Sequence, residues 1–418
     1  MKLELIKKNT KHLSILLFIS LCIFHIRFGI IPGCNKIVSD FPNYYVASKM
    51  IADGKDALDL YDKEKFQMHV YDYGVNAAAQ FALYPPASAL LMLPISGLQP
   101  LTAKRIWLLI QVCCIGGLIL LTTSLLNVTI FTSGNLILLS GFNLSNDLML
   151  GQIYIFITLL LFTGIYCVMK NKTIIAGISW GTVISLKYMP LAFIPTLIIS
   201  KKWKTLLLML MCVLIIYGIT SIMMGTHVVS QFISNIFIPH LKGDVAGERS
   251  WSLQYQSFEV LLNHLFIQDA VHNPHPLQDS LHFYYLIKFV IYSLVLGATI
   301  RIITIFRNTP YFIPFSISSV TLSVLLLEPG SATYHLLFAL LPLILIIRQQ
   351  PFQTFTTFSL IVVFSLMGFL PVVIDKLISF YQIENKFVSL NRLWLEMVFF
   401  IAAHNVMLLK SQKRITHT

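Results

Sequence analysis

Asp40, Asp147, Glu328, His335 and Lys187 stand inside or at the ends of long apolar runs, with Asn146 and Gln152 beside them. An ionisable group at the centre of a membrane helix costs about 2.5 to 3.5 kcal/mol on insertion scales, so each is read first as functional. The types are carboxylates able to take a proton, a histidine able to donate or orient, and an ammonium able to offset an anion. Asp40 is the most informative of them. It lies just past the first apolar run, in DFPNYYVASKMIADGKDALDLYD, where membrane packing gives no reason for an acid.

The elements that must position these groups are membrane helices. The 418 residues are 56% hydrophobic and 11% charged, with a mean hydropathy of +0.76, more than a soluble core requires. The net charge of +12 falls in short Lys/Arg clusters beside apolar runs rather than along one solvated face, which argues for topology and against a nucleic-acid partner. Apolar runs predict spans near 13–32, 101–126, 128–146, 151–169, 205–224, 283–305, 311–328, 332–348, 353–375 and 392–410. A longer run, 173–199, has Lys170 and Lys172 on one side and Lys201, Lys202 and Lys204 on the other. Both its ends therefore belong in the cytoplasm, and it reads as two short helices broken near Lys187-Tyr-Met-Pro190. With that hairpin, the charges at Lys2, Lys7, Lys8, Lys11, Arg301, Arg307, Arg348, Lys410, Lys413 and Arg414 all fall inside. Both termini are then cytoplasmic, and the first run, which ends FGIIPGCNK without a small-residue cleavage site, reads as an uncleaved anchor.

The hydrophilic segments 33–100 and 225–282 fall outside. The first has Tyr44, Tyr45, Val46, Met50 and Ile51 at near-helical spacing, then Tyr61, Phe66 and Val70, the pattern of short helices at the membrane interface. After Tyr84-Pro85-Pro86 comes ASALLMLPISGL, too short to span comfortably. QFISNIFIPHL and WSLQYQSFEVLLNHLF in the second segment read as interfacial too. Five of the six cysteines lie in apolar spans as small hydrophobes, and there is no CxxC pattern. The fold class is all-α and polytopic, one integral membrane domain over residues 1–418 with about twelve transmembrane or short membrane helices. Asp40, Asp147, Glu328 and His335 reach its outer side and Lys187 the outward tip of the hairpin, so an outward-facing polar cavity follows.

In this pattern the chain resembles the family-87 glycosyltransferases, the polyprenyl-phosphate-sugar-dependent membrane mannosyltransferase type of the GT-C superfamily. The resemblance is carried by Asp40 with Tyr44 and Ala47, Gly54, Leu60-Tyr61-Asp62, Tyr84-Pro85-Pro86, Pro94, Ala103, Trp107, Gly151-Gln152, Lys187 with Pro190, the Trp251 to Ser257 run, and Pro329 with His335. It spans roughly residues 13–345. It implies a GT-C fold and inverting transfer of a hexose, mannose being the usual one, from a polyprenyl-phosphate donor to a lipid or glycan acceptor on the non-cytoplasmic face. It also implies that Asp40 is the general base. The chain has Gln254-Tyr255-Gln256-Ser257 where an Asn-Gln-Ser-like run is expected.

The residue types agree with that chemistry. A carboxylate takes the acceptor hydroxyl's proton while the anomeric carbon is attacked from the face opposite the leaving group. Lys187 and Arg249 are candidates to neutralise the leaving phosphate. His335 is a second catalytic candidate, orienting Asp40 or donating to the phosphate, and Tyr44, Gln152 and Gln256 are candidates for substrate binding. Plainer readings stand beside these: Asp40 as a helix cap, Lys187 snorkelling, Arg249 as a solvated turn charge, His335 as a satisfied helix-start histidine. No cofactor or metal is expected. His264, His272, His275 and His282 lack zinc-site spacing, and no Asp-x-Asp pair or Gly-rich phosphate loop occurs. The partners expected are the lipid-linked sugar, a glycolipid or glycan acceptor and membrane lipids, and the expected location is a bacterial inner membrane. A lipid-diphosphate polysaccharide polymerase or ligase is the first alternative, disfavoured by the acid directly after the first span. A transporter or flippase is the second; its expected inverted repeat is not visible.

The charge pattern yields a direct test. Single cysteines placed at exposed positions within 33–100 and 225–282 of a cysteine-free background react with a membrane-impermeant thiol reagent in intact cells. Labelling that requires opening the membrane would reverse the orientation.

Overall fold

A computed structural model describes residues 2–81, 84–350, 354–382 and 385–415. Among these the regular structure is helical, with two isolated bridges and no strand. Six helices are long and apolar enough to cross a membrane: Lys11–Asn35, Pro100–Leu126, Trp203–Met224, Leu281–Phe306, Phe355–Tyr381 and Asn391–Ser411. The pair Phe142–Leu150 and Tyr154–Met169, bent by 118°, makes a seventh if counted as one span, and five shorter apolar helices accompany them. This is an all-α polytopic membrane protein. The expected dozen is reached by counting short pieces with long ones.

The chain packs as two compact units, Met1–Leu186 with Leu208–Val228, and Lys187–Leu207 with Val229–Thr418. In the first, the helix Tyr154–Met169 packs against both Thr173–Leu186 and Pro100–Leu126. Close approach is possible because Gly164 faces the fully buried Trp180, whose indole N–H donates to Leu161 O at 3.3 Å. In the second, Phe312–Leu327 packs against Leu281–Phe306 and against the helices of 333–348. Its buried face carries Ser316, Ser318, Ser319, Thr321 and Ser323, small residues that let membrane helices come close and bond across. Ser319 Oγ lies 2.7 Å from His404 Nε2, and Thr299 Oγ1 2.5 Å from Ser323 Oγ.

One expectation changes and another gains detail. The run 128–146 is not one span: Ile130–Leu138 ends at a turn where Gly141 has φ of +57°, and Phe142–Leu150 restarts beyond it. Broken backbone at membrane depth persists only where its polar groups find partners. Here His25 Nε2 donates to Leu138 O at 2.9 Å, so its Nδ1 accepts from Ser145 Oγ, also at 2.9 Å. The second finding concerns Phe41–Ala52, expected as a short helix at the membrane interface. Phe41 through Ser48 and Met50 are all buried, because apolar and aromatic residues surround the helix on every side. The break expected near Lys187 is present: Thr173–Leu186 ends there, and a 3₁₀ turn, Met189–Phe193, precedes Ile194–Ile199.

The tight helix contact predicts a difference between two glycines. A Cβ on Gly164 would fall 2.1 Å from Trp180 Nε1, whereas one on Gly116 meets nothing within 4 Å. Gly164→Ala should lower the thermal midpoint in detergent by the equivalent of about 1–3 kcal/mol of overpacking, and Gly116→Ala should leave it level or raise it. Equal midpoints would mean that this packing is not rigid.

Candidate active site

Asp40 occupies the position before the first turn of the helix Phe41–Ala52, yet its carboxylate does not cap that helix. The reason is local. The second helical residue is Pro42, which has no N–H, and the third, Asn43, donates its N–H to the Asp40 carbonyl at 3.1 Å. Asp40 is also in a helical conformation, φ −96° and ψ −35°, rather than the extended one usual for a cap. The half-buried acid is thus held by its backbone, its side chain uninvolved in the helix start. Its seat depends on Gly151, which has φ of +74° and would place a Cβ 2.9 Å from that of Phe41.

A buried polar network lies within electrostatic reach of Asp40. Tyr44 donates to Gln152 Oε1 at 2.7 Å, and Gln152 Nε2 donates to the Tyr84 hydroxyl at 3.3 Å. All three are buried. Burial first, and the charge of Asp40 second, pushes the Tyr84 hydroxyl above the ordinary phenol range, so it stays neutral. The Gln152 carbonyl accepts from Trp107 Nε1 at 3.1 Å and from Gln111 Nε2 at 2.7 Å. Gln111 also donates to Asp147 Oδ1 at 2.7 Å, and Asp147 Oδ2 accepts from Tyr154 N at 3.1 Å. Tyr154 opens the helix beyond the 118° bend. Asp147 therefore staples that helix's N-terminus, where a carboxylate is favoured. Lys104, fully buried, donates to Lys36 O at 2.7 Å and Met149 O at 2.8 Å.

The second unit gathers charge of the other sign around one acid. Glu328, just beyond the end of Phe312–Leu327, lies 3.2 Å from His240 Nε2, while His240 Nδ1 is 3.1 Å from Asp244 O. Both ring nitrogens face acceptors. Burial alone would raise the Glu328 carboxyl; His240, followed by His335 and Lys187, outweighs it and brings it down to about 2. His335 Nδ1 accepts from Ala332 N at 2.9 Å, which leaves its Nε2 as the N–H donor. Lys187 is half-buried and acts electrostatically on both Glu328 and His335.

The expected residues are thus placed as follows. Asp40, Tyr44 and Gln152 belong to the first unit, with Tyr44 and Gln152 bonded to each other. Lys187, Glu328 and His335 come together in the second. Gln256 there is buried; its Oε1 accepts from Arg392 N at 2.6 Å and its N–H donates to Ser331 O at 3.1 Å. Its neighbour Ser257 caps the helix Phe258–Phe266 and donates to Pro329 O at 2.8 Å. Arg249 donates to Asn263 Oδ1 at 3.1 Å and lies 5.5 Å over the Tyr284 ring, near a Glu259–Lys288 pair at 2.8 Å. Lys104, His240 and Arg392 were missed. Each sits at the edge of an apolar run, where a basic residue reads as a topology marker or an interface anchor, and only its inward direction sets it apart.

A family model described as glycosyltransferase family 87 matches residues 82–329, more than half of the chain. No curated protein and no solved structure matches. Gln152, Lys187, Arg249, Gln256 and Glu328 lie within the matched stretch; Asp40, Tyr44 and His335 lie outside it.

The staple reading of Asp147 has a measurable consequence. Asp147→Ala strands the Gln111 and Tyr154 donors in a buried place, each worth about 1–3 kcal/mol. The thermal midpoint should fall well below that of Asp147→Asn, which keeps one acceptor oxygen. Matching midpoints for the two variants would remove the structural role.

Proposed function

The chain belongs to glycosyltransferase family 87, and from that premise we propose that it transfers a hexose, mannose in the first instance, from a polyprenyl-phosphate donor with inversion at the anomeric carbon. The coarser statement, a membrane glycosyltransferase acting on a glycolipid or glycan among membrane lipids, is the family's activity in a membrane-spanning helical protein. The observation that carries the finer reading is the Asp40 carboxylate, placed at a helix start by backbone and steric constraints without being used as the cap.

In the proposed step Asp40 takes the proton of the acceptor hydroxyl as its oxygen bonds to the anomeric carbon. The bond from that carbon to the donor phosphate breaks, and the lipid phosphate leaves with the electron pair. Tyr44, Gln152 and Tyr84 act as a rigid support for Asp40. Lys187 and the Nε2–H of His335 are assigned to the phosphate's growing charge, and Arg249, already engaged by Asn263 and Tyr284, to a structural part. The reading places the reaction on the outer face of a bacterial inner membrane, both termini in the cytoplasm, with no cofactor or metal.

Purified protein tests this with three donors: a polyprenyl-phosphate hexose, a polyprenyl-diphosphate sugar and a nucleotide sugar, each with and without chelator. The expected result is transfer from the monophosphate alone, indifferent to chelator. Asp40→Asn should lose about 10²- to 10⁴-fold in turnover with donor binding nearly unchanged. Wild-type turnover in that variant would remove Asp40 as the base. Transfer from either other donor would place the enzyme in a different donor class.

A further inference from the structure

Lys104 is an anomaly in the first unit. A lysine near the end of a membrane helix ordinarily runs its stem outward and keeps its ammonium wet. This one, near the start of Pro100–Leu126, is fully buried and turned inward. Its two carbonyl partners, Lys36 O and Met149 O, sit at the C-terminal ends of two short helices, Ile31–Asn35 and Phe142–Leu150. Helix C-termini favour a cation. Yet a neutral amide could join two carbonyls with far less desolvation, so the full charge calls for a reason beyond tying helix ends. Asp40 follows four residues after Lys36, and the two charges lie within electrostatic reach of one another.

We propose that Lys104 is a positioning residue for Asp40: it anchors the turn that carries the acid and supplies the positive charge that keeps the carboxylate ionised beneath an acceptor hydroxyl. Other groups that act on this part of the site include Tyr84, a neutral phenol, Asp147, which pushes the opposite way when ionised, and Lys36, a second positive charge beside Lys104. The proposal rests on Asp40 being the base.

The test is the pH dependence of kcat for the purified enzyme and for Lys104→Gln, which keeps two N–H donors for the carbonyls and removes the charge. An opposite charge nearby lowers a carboxyl's titration range by about one unit or more. The acid limb of kcat should therefore move up by about one unit in Lys104→Gln, with donor KM little changed, and Lys104→Arg should bring it back toward the original position. A folded Lys104→Gln whose limb stays in place overturns the proposal. Should that variant fail to accumulate, Asp40→Cys in the native background serves instead. Its thiol, followed by alkylation rate and peptide mass spectrometry, should titrate below the ordinary thiol value of about 8.5, and a midpoint at or above that value overturns the proposal. Full turnover in Asp40→Asn would sink the base reading itself, whatever Lys104 does.

Discussion

Lipid offers backbone groups no hydrogen bonds, so every place where this chain breaks a helix must supply its own partners. The first unit turns that constraint into a support. The 118° bend between Phe142–Leu150 and Tyr154–Met169 is closed by Asp147, which takes one donor from Gln111 and one from the Tyr154 amide. Gln111 then bridges to the Gln152 carbonyl, and the Gln152 side chain holds Tyr44 and Tyr84. The break at 139–141 is met in the same way by His25. The bend is thus tied through Gln111 and Gln152 to Tyr44, in the helix that begins just after Asp40.

The second unit solves a different electrostatic problem. Three basic side chains, His240, His335 and Lys187, surround a single carboxylate, Glu328. His240 is tied directly to that acid. The ring of His335 is fixed by a backbone amide, which also fixes which nitrogen carries the proton. Lys187 adds an ammonium to the set and His335 an N–H donor, groups that favour an anion. Nearby, Gln256 and Ser257 fasten the segment to 329–331 and to the start of the last helix. Gln256 and Ser257 thus form a structural joint.

Much of the helical frame was legible because length and hydropathy are summed over twenty residues and tolerate local error. The long helices and the short helices of 33–100 follow from that, and the break at Lys187 from the lysines at both ends of 173–199. The division of 128–146 at Gly141 was not legible, since a Ser-Gly pair in an apolar run is ordinary in membrane helices and its consequence depends on the partner His25. Nor was the burial of Phe41–Ala52: an aromatic-rich helix reads alike whether lipid or protein surrounds it. Lys104 and Arg392 show the same limit for charges. Hydropathy records that a basic residue flanks a span, whereas direction decides whether it meets water or a carbonyl.

Direction also separates the acids. A general base must gain and lose a proton each turnover without its own seat loosening. Both oxygens of Asp147 are engaged in closing the bend. Glu328 is paired with His240, and Glu259 with Lys288 and the Tyr284 hydroxyl. Asp56 and Asp62 cap short helical segments, and Asp59 holds Lys65 and His69. Asp40 does not cap the helix it precedes. Pro42 and the Asn43-to-Asp40 backbone bond remove the amides that a capping carboxylate would need, so its place is set by the backbone and by Gly151 against Phe41. A proton can then arrive at Asp40 without undoing the helix start that holds it.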